Sequence, residues 1–555
     1  MPEYLSPGVY IQEVDSGPRP IEGAGTACAA FVGFAPAAPD GMNNRPVLVT
    51  NWSQFVERFG SLDEEGRRNP YMDGAYMPHA VYGYFLNGGG RCYVTRVAPS
   101  NGKASDGKAM DGEAASLQLP SRSSKAIAAL TITPKGTPSD NIQVEVLPPT
   151  MTAAAAPDDT AKAGDRGADK ATDKATDKAS AEKPDEGIFT LRFRMGGAEE
   201  NYENVGLGRR AARPVEAISQ ASRLVTVVEN VGSGPLAERV PEVGTYLLKV
   251  PQQTTLPAVR PDAFKGDVTE RTGVEGLEIA EDVTMICCPD LMSAYQAGSI
   301  DADGVKAVQL GMIAHCERMG DRMAILDTPP DLSPQEVRRW RQVLTNYDSR
   351  FAAVYYPWIK IDGPDGKPKA VPPSGYMAGI WAKTDNTRGV HKAPANEVIL
   401  GALEAATPIT KGEQDTLNPI GVNCIRSFTG RGLRVWGART ISSDPAWRYI
   451  NVRRLFNYVE SSLKSGLQWV VFEPNDPDLW ARVRRDVGAF LTGVWRDGML
   501  FGLTPEQAFY VKCDEELNPS DVRDRGQLFI DIGMAPVKPA EFVVFRLSQW
   551  AGGGA

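Results

Sequence analysis

The stretch Arg322–Trp340, RMAILDTPPDLSPQEVRRW, reads as a buried strand running into a capped helix. Met323 to Leu326 form an apolar run without polar alternation, which suits a strand covered on both faces. Ser333 stands where a helix N-cap is needed, Pro334 falls at the first helical position, and Glu336 completes a capping box. The same rhythm recurs on either side. Upstream, VTMICCPD (Val283–Asp290) is a strand, followed by a helix over Gly304–Met319. Downstream, FAAVYYPWIKI (Phe351–Ile361) is the next strand. Nearer the start, ACAAFVGFA (Ala27–Ala35) is a buried strand and VLVTNWSQFVERFG (Val47–Gly60) a strand followed by a helix. YMPHAVYGYFLN (Tyr76–Asn87) is an apolar-faced helix, and RCYVTRVA (Arg91–Ala98) another strand. Alternation of this kind predicts an α/β layer on a parallel sheet.

Between the two α/β blocks the pattern changes. From about Leu117 to Val250 short alternating segments such as NIQVEVLP (Asn141–Pro148) and IFTLRFRM (Ile188–Met195) predict strands with little helical periodicity. Thr152–Glu186 contains no aromatic residue and no Leu, Ile, Val or Met, and repeats ADKATDKATDKASAEK. Such a segment cannot bury enough apolar area to offset its ordering entropy and is expected to be a solvated surface loop. The simplest topology is one α/β domain interrupted by a β-rich insertion.

The C-terminal part has its own pieces. SSDPAWRYINVRRLFNYVESSLK (Ser442–Lys464) predicts a helix capped by Asp444 with Pro445 behind it, and its apolar residues Val452, Leu455, Phe456, Val459 and Leu463 follow helical spacing. A second helix opens with Asp476 and Pro477 in the same roles. In it Leu479, Trp480, Val483, Val487 and Phe490 face the core, which places Arg482, Arg485 and Asp486 on the opposite side. LTPEQAFYVKC (Leu503–Cys513) predicts a third helix with a Thr504 to Gln507 capping box. GQLFIDIGMAPVKPAEFVVFRLSQW (Gly526–Trp550) predicts two strands joined across MAPVKPA.

A strand is expected at each end of the chain. Gly8, Val9, Tyr10, Ile11, Gln12, Glu13 and Val14 (GVYIQEV) suit a pleated surface and precede a Gly/Pro-rich tether, DSGPRPIEGAG. Phe542, Val543, Val544 and Phe545 form the corresponding run near the other end.

The bulk numbers exclude several classes. A chain of 555 residues is expected to form more than one domain. Its formal charge of -9 argues against bulk nucleic-acid binding, which needs a basic face. MPEYLSPG lacks a basic n-region and an apolar h-region, and no run is long enough to cross a bilayer, so a soluble protein made in the cytosol is expected. Seven scattered cysteines without a C-x-x-C pair read as buried reduced thiols, and His79, His315 and His391 show no metal-ligand spacing. No cofactor, metal site or catalytic set is assigned. The glycines of Asn87–Gly90 follow a helix and precede a strand, the reverse of the order that places a phosphate at a helix N-terminus, and read as a C-cap and turn. Ser374 lies outside any G-x-S-x-G elbow, and Asp290, Asp327 and Asp362 near strand ends read as turn formers or caps. A triad built from these residues stays open at this point.

One composite stretch is more specific than any of these signals. VPPSGYMAGIWAKTDNTRGVHKAPANEVI (Val371–Ile399), followed by LNPIGVNCIRSFTGRGLRVWGARTISSDPAWRYINVRRLFNYVESSL (Leu417–Leu463), resembles the contractile tail sheath proteins of phages and of contractile injection systems. The resemblance extends to YLSPGVYIQEV (Tyr4–Val14), to FEPNDPDLWARVRRDVGAFLTGVWRDGMLFG (Phe472–Gly502) and to the terminal strands, leaving out the insertion.

It implies a structural sheath subunit, not an enzyme, that stacks as hexameric rings around an inner tube and contracts to drive the tube through a target membrane. The fold it implies is a subtilisin-like α/β core without protease activity, with an inserted β-rich domain and an α+β C-terminal domain carrying exchanged terminal strands. The division expected is a donor arm over 1–24, a core over 25–97 and 263–415, and an outer insertion over 98–262. An inner C-terminal domain over 416–535 and a strand arm over 536–555 complete it. The partners implied are neighbouring sheath subunits, which receive the arms, an inner tube protein, for which Arg482, Arg485 and Asp486 are the facing candidates, and baseplate and terminal cap proteins. Neither nucleic acid nor membrane insertion is expected. Assembly is expected in the cytoplasm, the mature particle being a virion tail, a secreted injection particle or a cytosolic device. The competing readings are a hydrolase-like α/β enzyme with an inserted β domain and a tail-tube or baseplate component.

Overall fold

The computed structural model describes residues 21–39, 41–62, 67–98, 116–123, 128–135, 141–149, 187–195, 198–207, 211, 213–230, 239–248 and 256–546. The expected strand Gly8–Val14 and the polar segment Thr152–Glu186 lie outside these residues.

An eight-stranded sheet organises the molecule. Its order is Pro46–Val49, Arg91–Arg96, Cys28–Gly33, Met285–Cys287, Met323–Asp327, Ala352–Tyr356, Val422–Phe428, Gly432–Val435. The six inner strands run parallel and each outer strand pairs antiparallel with its neighbour. Every residue of Cys28–Gly33, Met285–Cys287, Met323–Asp327 and Ala352–Tyr356 is buried, the condition that makes uninterrupted apolar runs usable as strands. Strands from before and after the insertion pair directly, with Ala29 opposite Met285 and Phe31 opposite Cys287. The seven cysteines are all buried free thiols.

The helices over the sheet begin where local chemistry dictates. Asp301 accepts from Gly304 N to open Ala302–Met319, and Gly320, at φ +73°, closes it. Ser333 and Glu336 form the reciprocal capping box of Pro334–Arg339, as their spacing predicts. The helices Met77–Leu86 and Ser374–Arg388 cross so closely that glycines are required at the contact. A Cβ on Gly375 would lie 2.5 Å from the Ala80 backbone, and one on Gly83 2.4 Å from the Tyr376 ring.

Two antiparallel sheets make up the described part of the insertion. One is ordered Ala198–Gly206, Ile188–Met195, Ile142–Leu147, Gly244–Leu248, and the other Val225–Glu229, Ala128–Pro134, Leu117–Pro120. They share an apolar core that includes Val144, Phe193, Ile132 and Val227, separate from that of the eight-stranded sheet. The alternation legible in these segments is the inward and outward period of half-buried strands.

The C-terminal helices differ from expectation in two places. Asp444 caps only the single turn Pro445–Trp447, and the long helix runs Ile450–Gly466. Tyr449 between them is extended, where Thr440 N donates to Arg448 O and Ile450 N to Ala438 O. Pro477–Arg496 opens on Asp476 as expected. Leu503–Cys513 is not a helix: one turn, Pro505–Ala508, leads into the strand Phe509–Lys512, which pairs antiparallel with Asp531–Met534. Phe509 and Val511 lie on one face of that pair against the apolar cluster of the Pro477–Arg496 helix, so period-two packing prevails over the capping signal.

Candidate assembly surface

Residues 21–24 and the strand Asp531–Met534 both pack on the C-terminal helices. Ile21 is buried against Gly466, where any side chain would collide with it, and Ala24 N donates to Ser462 Oγ at 2.9 Å. Residues 21–24, placed with the donor arm in the sequence reading, therefore pack on the Ile450–Gly466 helix of their own subunit. Arg454 on this helix forms a bidentate pair with Asp385 of the Ser374–Arg388 helix, Nη1 to Oδ1 at 2.8 Å and Nη2 to Oδ2 at 2.5 Å. Its Nη2 also donates to Thr26 O at 2.9 Å, and both side chains of the pair are buried. One guanidinium thus ties the C-terminal helix, the core and the entering chain together.

At the other end, Asp531–Met534 and Phe509–Lys512 form a sheet of only two strands. Ile532 and Met534 pack on the domain core, while Tyr510 is exposed on the opposite face. Among the described residues, no third strand covers either outer edge. The second expected strand, Phe542–Phe545, has no ladder partner among the described residues, and its four apolar side chains are 70–84% exposed. An exposed apolar run and an uncovered sheet edge are features that recruit strands from other molecules.

The root of this run is fixed. Glu541 accepts from Arg439 Nη2 at 2.6 Å, Arg439 Nε at 2.9 Å, Asn418 Nδ2 at 2.7 Å and Tyr449 OH at 3.0 Å. Partial burial pushes its carboxyl up, but the hydrogen bonds from Arg439 and Asn418 outweigh this and hold it below the usual glutamate range.

On the Pro477–Arg496 helix, Arg482 and Arg485 are exposed as the spacing predicts. Arg482 stacks over Trp469 and reaches Glu473 at 3.4 Å. Asp486 departs from the prediction: it is buried, with Oδ1 3.1 Å from Arg485 Nε. It lies three residues after Val483 and one before Val487, so it shares the inward stripe of the helix and not the outward face. Nearby, Phe472 is fully exposed at φ +70°, which no periodicity in the sequence signalled.

Of the residues that left a triad open, Asp327, Ser374 and Asp290 are engaged in capping, while Asp362 is an exposed strand residue paired with Pro368. Asp327 accepts from Ser374 N at 3.0 Å and Ser374 Oγ at 2.6 Å, at the start of the Ser374–Arg388 helix. Asp290 does the same for Met77–Leu86, accepting from Tyr76 N, from Met77 N at 3.1 Å, and also from Phe34 N at 2.6 Å. Burial raises the Asp327 carboxyl to about 7 and the Asp290 carboxyl to about 6, against the lowering effect of these donors. Each group binds its proton more tightly in the folded state. The stability they contribute is complete below about pH 4, the unfolded carboxylate range, and is lost as pH rises through 6 to 7. Asp327→Asn keeps an acceptor for Ser374 N without the charge. Its melting temperature relative to wild type is expected to climb between pH 5 and pH 8, read by thermal unfolding of the unassembled chain. A constant difference across that range contradicts the assignment.

Comparison with known proteins bears on this geometry directly. The family model for the phage tail sheath protein central domain matches residues 273–441, and that for the phage tail sheath C-terminal domain matches residues 442–549. The chain belongs to the contractile tail sheath family. This sheath chain is 26% identical over 312 residues to a putative prophage major tail sheath protein of Pseudomonas aeruginosa, covering 53% of this chain and 75% of that one. It is 30% identical over 180 residues to the tail sheath protein of Vibrio phage KVP40, covering 32% of this chain and 26% of that one. The chain thus spans about a quarter of the length of the Vibrio phage relative.

In fold, it is similar to the helical sheath of the anti-feeding prophage in its contracted state, with a TM-score of 0.55 and 23% identity over 98% of this chain and 99% of that one. It is also similar to the contracted sheath complex of the extracellular contractile injection system PVC, with a TM-score of 0.52 and 21% identity over 99% of both chains. These relatives are structural sheath proteins. The sheath family models begin at residue 273, beyond the insertion.

Proposed function

We propose that this chain is the structural subunit of a contractile sheath, stacked as hexameric rings around an inner tube, that shortens to drive the tube through a target membrane. The observation that carries the reading is the exposed apolar run Phe542–Phe545, together with a two-stranded sheet whose outer edges no strand covers among the described residues. A donor strand and an acceptor edge on different surfaces make a heterologous contact, and such contacts propagate into open helical arrays. Main-chain pairing at the arms keeps the lattice connected while the globular bodies move from an extended, kinetically trapped packing to a tighter one. The strand Gly8–Val14 is assigned the same donor role at the other terminus.

The core is read as subtilisin-like with the catalytic chemistry absent, Asp327 and Ser374 serving as cap partners. The insertion is assigned to the outside of the cylinder. The partners follow from the assembly: copies of this chain, an inner tube protein, a baseplate of the kind that the anti-feeding prophage carries, and a terminal cap. Assembly is assigned to the cytoplasm, before the particle acts.

Arg482 and Arg485 remain the tube-facing candidates, since both project outward from the helix that carries the sheet on its other side. Electron microscopy of the purified chain is expected to show striated hollow cylinders, whereas a hydrolase-like enzyme would remain dispersed globular particles. Charge reversal at Arg482 and Arg485 is expected to reduce co-sedimentation of a co-expressed tube protein several-fold while leaving the cylinders intact. Undiminished co-sedimentation would remove these two residues from the tube interface.

A further inference from the structure

The short connection between Asp531–Met534 and Phe542–Phe545 poses a problem for strand donation. Seven residues separate them, and Val537 is already pinned, its N–H to Met499 O at 3.3 Å and its carbonyl to Asn451 Nδ2 at 3.2 Å. The four residues Lys538–Glu541 are enough to close a hairpin. An unrestrained Phe542–Phe545 would then fold back onto the open edge of Asp531–Met534 and satisfy itself, since pairing within one chain is favoured by its high effective concentration.

We propose that Glu541 is a positioning residue that prevents this self-closure and holds the strand open for a second copy of the chain. The proposal rests on the reading that Phe542–Phe545 is donated. Both carboxylate oxygens of Glu541 are held, Oε1 by Asn418 and Arg439 and Oε2 by Arg439 and Tyr449. Charge-assisted, forked contacts of this kind fix orientation as well as position. The receptor is anchored in turn to the eight-stranded sheet. Asn423, fully buried on Val422–Phe428, accepts from Arg439 N at 2.7 Å and donates to Arg439 O at 2.8 Å. Arg439 Nη1 donates to Asn418 O at 3.2 Å.

The last fixed residue before the arm is therefore tied through Arg439 and Asn423 to the eight-stranded sheet, whereas the strand that would be its hairpin partner packs in the apolar cluster of the Pro477–Arg496 helix. Pro536 and Pro539 stiffen the connection by fixing φ and removing two amide donors. Phe542–Phe545 leaves the subunit along a direction set by this anchorage.

The test is hydrogen exchange of the unassembled full chain, followed by electron microscopy, on Glu541→Ala and the milder Glu541→Gln, which retains acceptor and shape but loses the ion pair with Arg439. Wild-type amides of Phe542–Phe545 are expected to exchange at the rate of free chain. In Glu541→Ala their protection is expected to rise at least tenfold as the strand closes on its own sheet, with cylinders shortened or lost. Glu541→Gln is expected to fall between the two. Protection of Met323–Asp327 reports whether the variants stay folded. Unchanged exchange at Phe542–Phe545 in both folded variants overturns the proposal, as do increased protection and cylinders of normal length together. Normal cylinders from a chain ending at Glu541 would instead overturn the donation reading, an outcome read without either variant.

Discussion

Arg454→Met is expected to lower the unfolding free energy of the unassembled chain by about 3–5 kcal/mol, the range for removing one partner of a buried ion pair. Asp385 is the reason. Its side chain is 2% exposed, and burial already pushes its carboxyl above the usual range, against the pull of Arg454. Without the guanidinium, Asp385 must keep an uncompensated buried charge or take up a proton at neutral pH. The Thr26 carbonyl loses one donor in the same substitution and keeps the other, Thr284 Oγ1. The loss should be larger at pH 8 than at pH 5, because protonation of the orphaned carboxyl relieves part of it. Adding Asp385→Leu should restore much of the stability, since a buried pair replaced by packed apolar groups is often neutral. Chemical denaturation of the single and double variants checks this. A loss below about 1 kcal/mol in Arg454→Met would mean that the pair is solvated and of the surface kind.

Ending the chain at Glu541 is expected to abolish long cylinders while leaving the unassembled protein folded. Phe542–Phe545 are described without any ladder partner, so their removal costs the monomer no packed area and its stability should change by no more than about 0.5 kcal/mol. Each lattice contact, by contrast, would lose its main-chain pairing and the apolar side chains that alternate along it. Because a cylinder multiplies this contact over every subunit, even a modest loss at each joint should stop growth. Sedimentation and electron microscopy read the cylinders, and thermal unfolding reads the monomer. A large drop in melting temperature would place the strand in its own subunit's fold, and cylinders of normal length would show that it is not a joint.

The α/β layer was determined by the sequence alone. Apolar runs such as MAILD and AAVYY read as strands buried on both faces, and Ser333 and Asp476 cap helices through atoms within three residues of themselves. Local rules fail where distant backbone competes. Phe509–Lys512 carries a helical capping signal just before it, yet it is a strand, because Asp531–Met534 offers a ladder and the helix Pro477–Arg496 an apolar surface. Asp444 caps one turn and no more, because Ala438 and Thr440 claim the following backbone. Asp486 looks like a surface charge in a helix rich in arginine and is buried beside Val483 and Val487.

The candidate assembly surface was legible only in outline. The sequence marked Phe542–Phe545 as a strand, since aromatic and β-branched residues announce a pleated surface whichever chain supplies the partner. It could not reveal that this run lacks a ladder partner among the described residues, nor that Glu541, Arg439, Asn418 and Tyr449 converge across 123 residues of chain. A strand propensity is a property of a few neighbouring residues. Whether the strand is open or closed depends on which groups the rest of the fold brings to its root, and only the tertiary structure decided that.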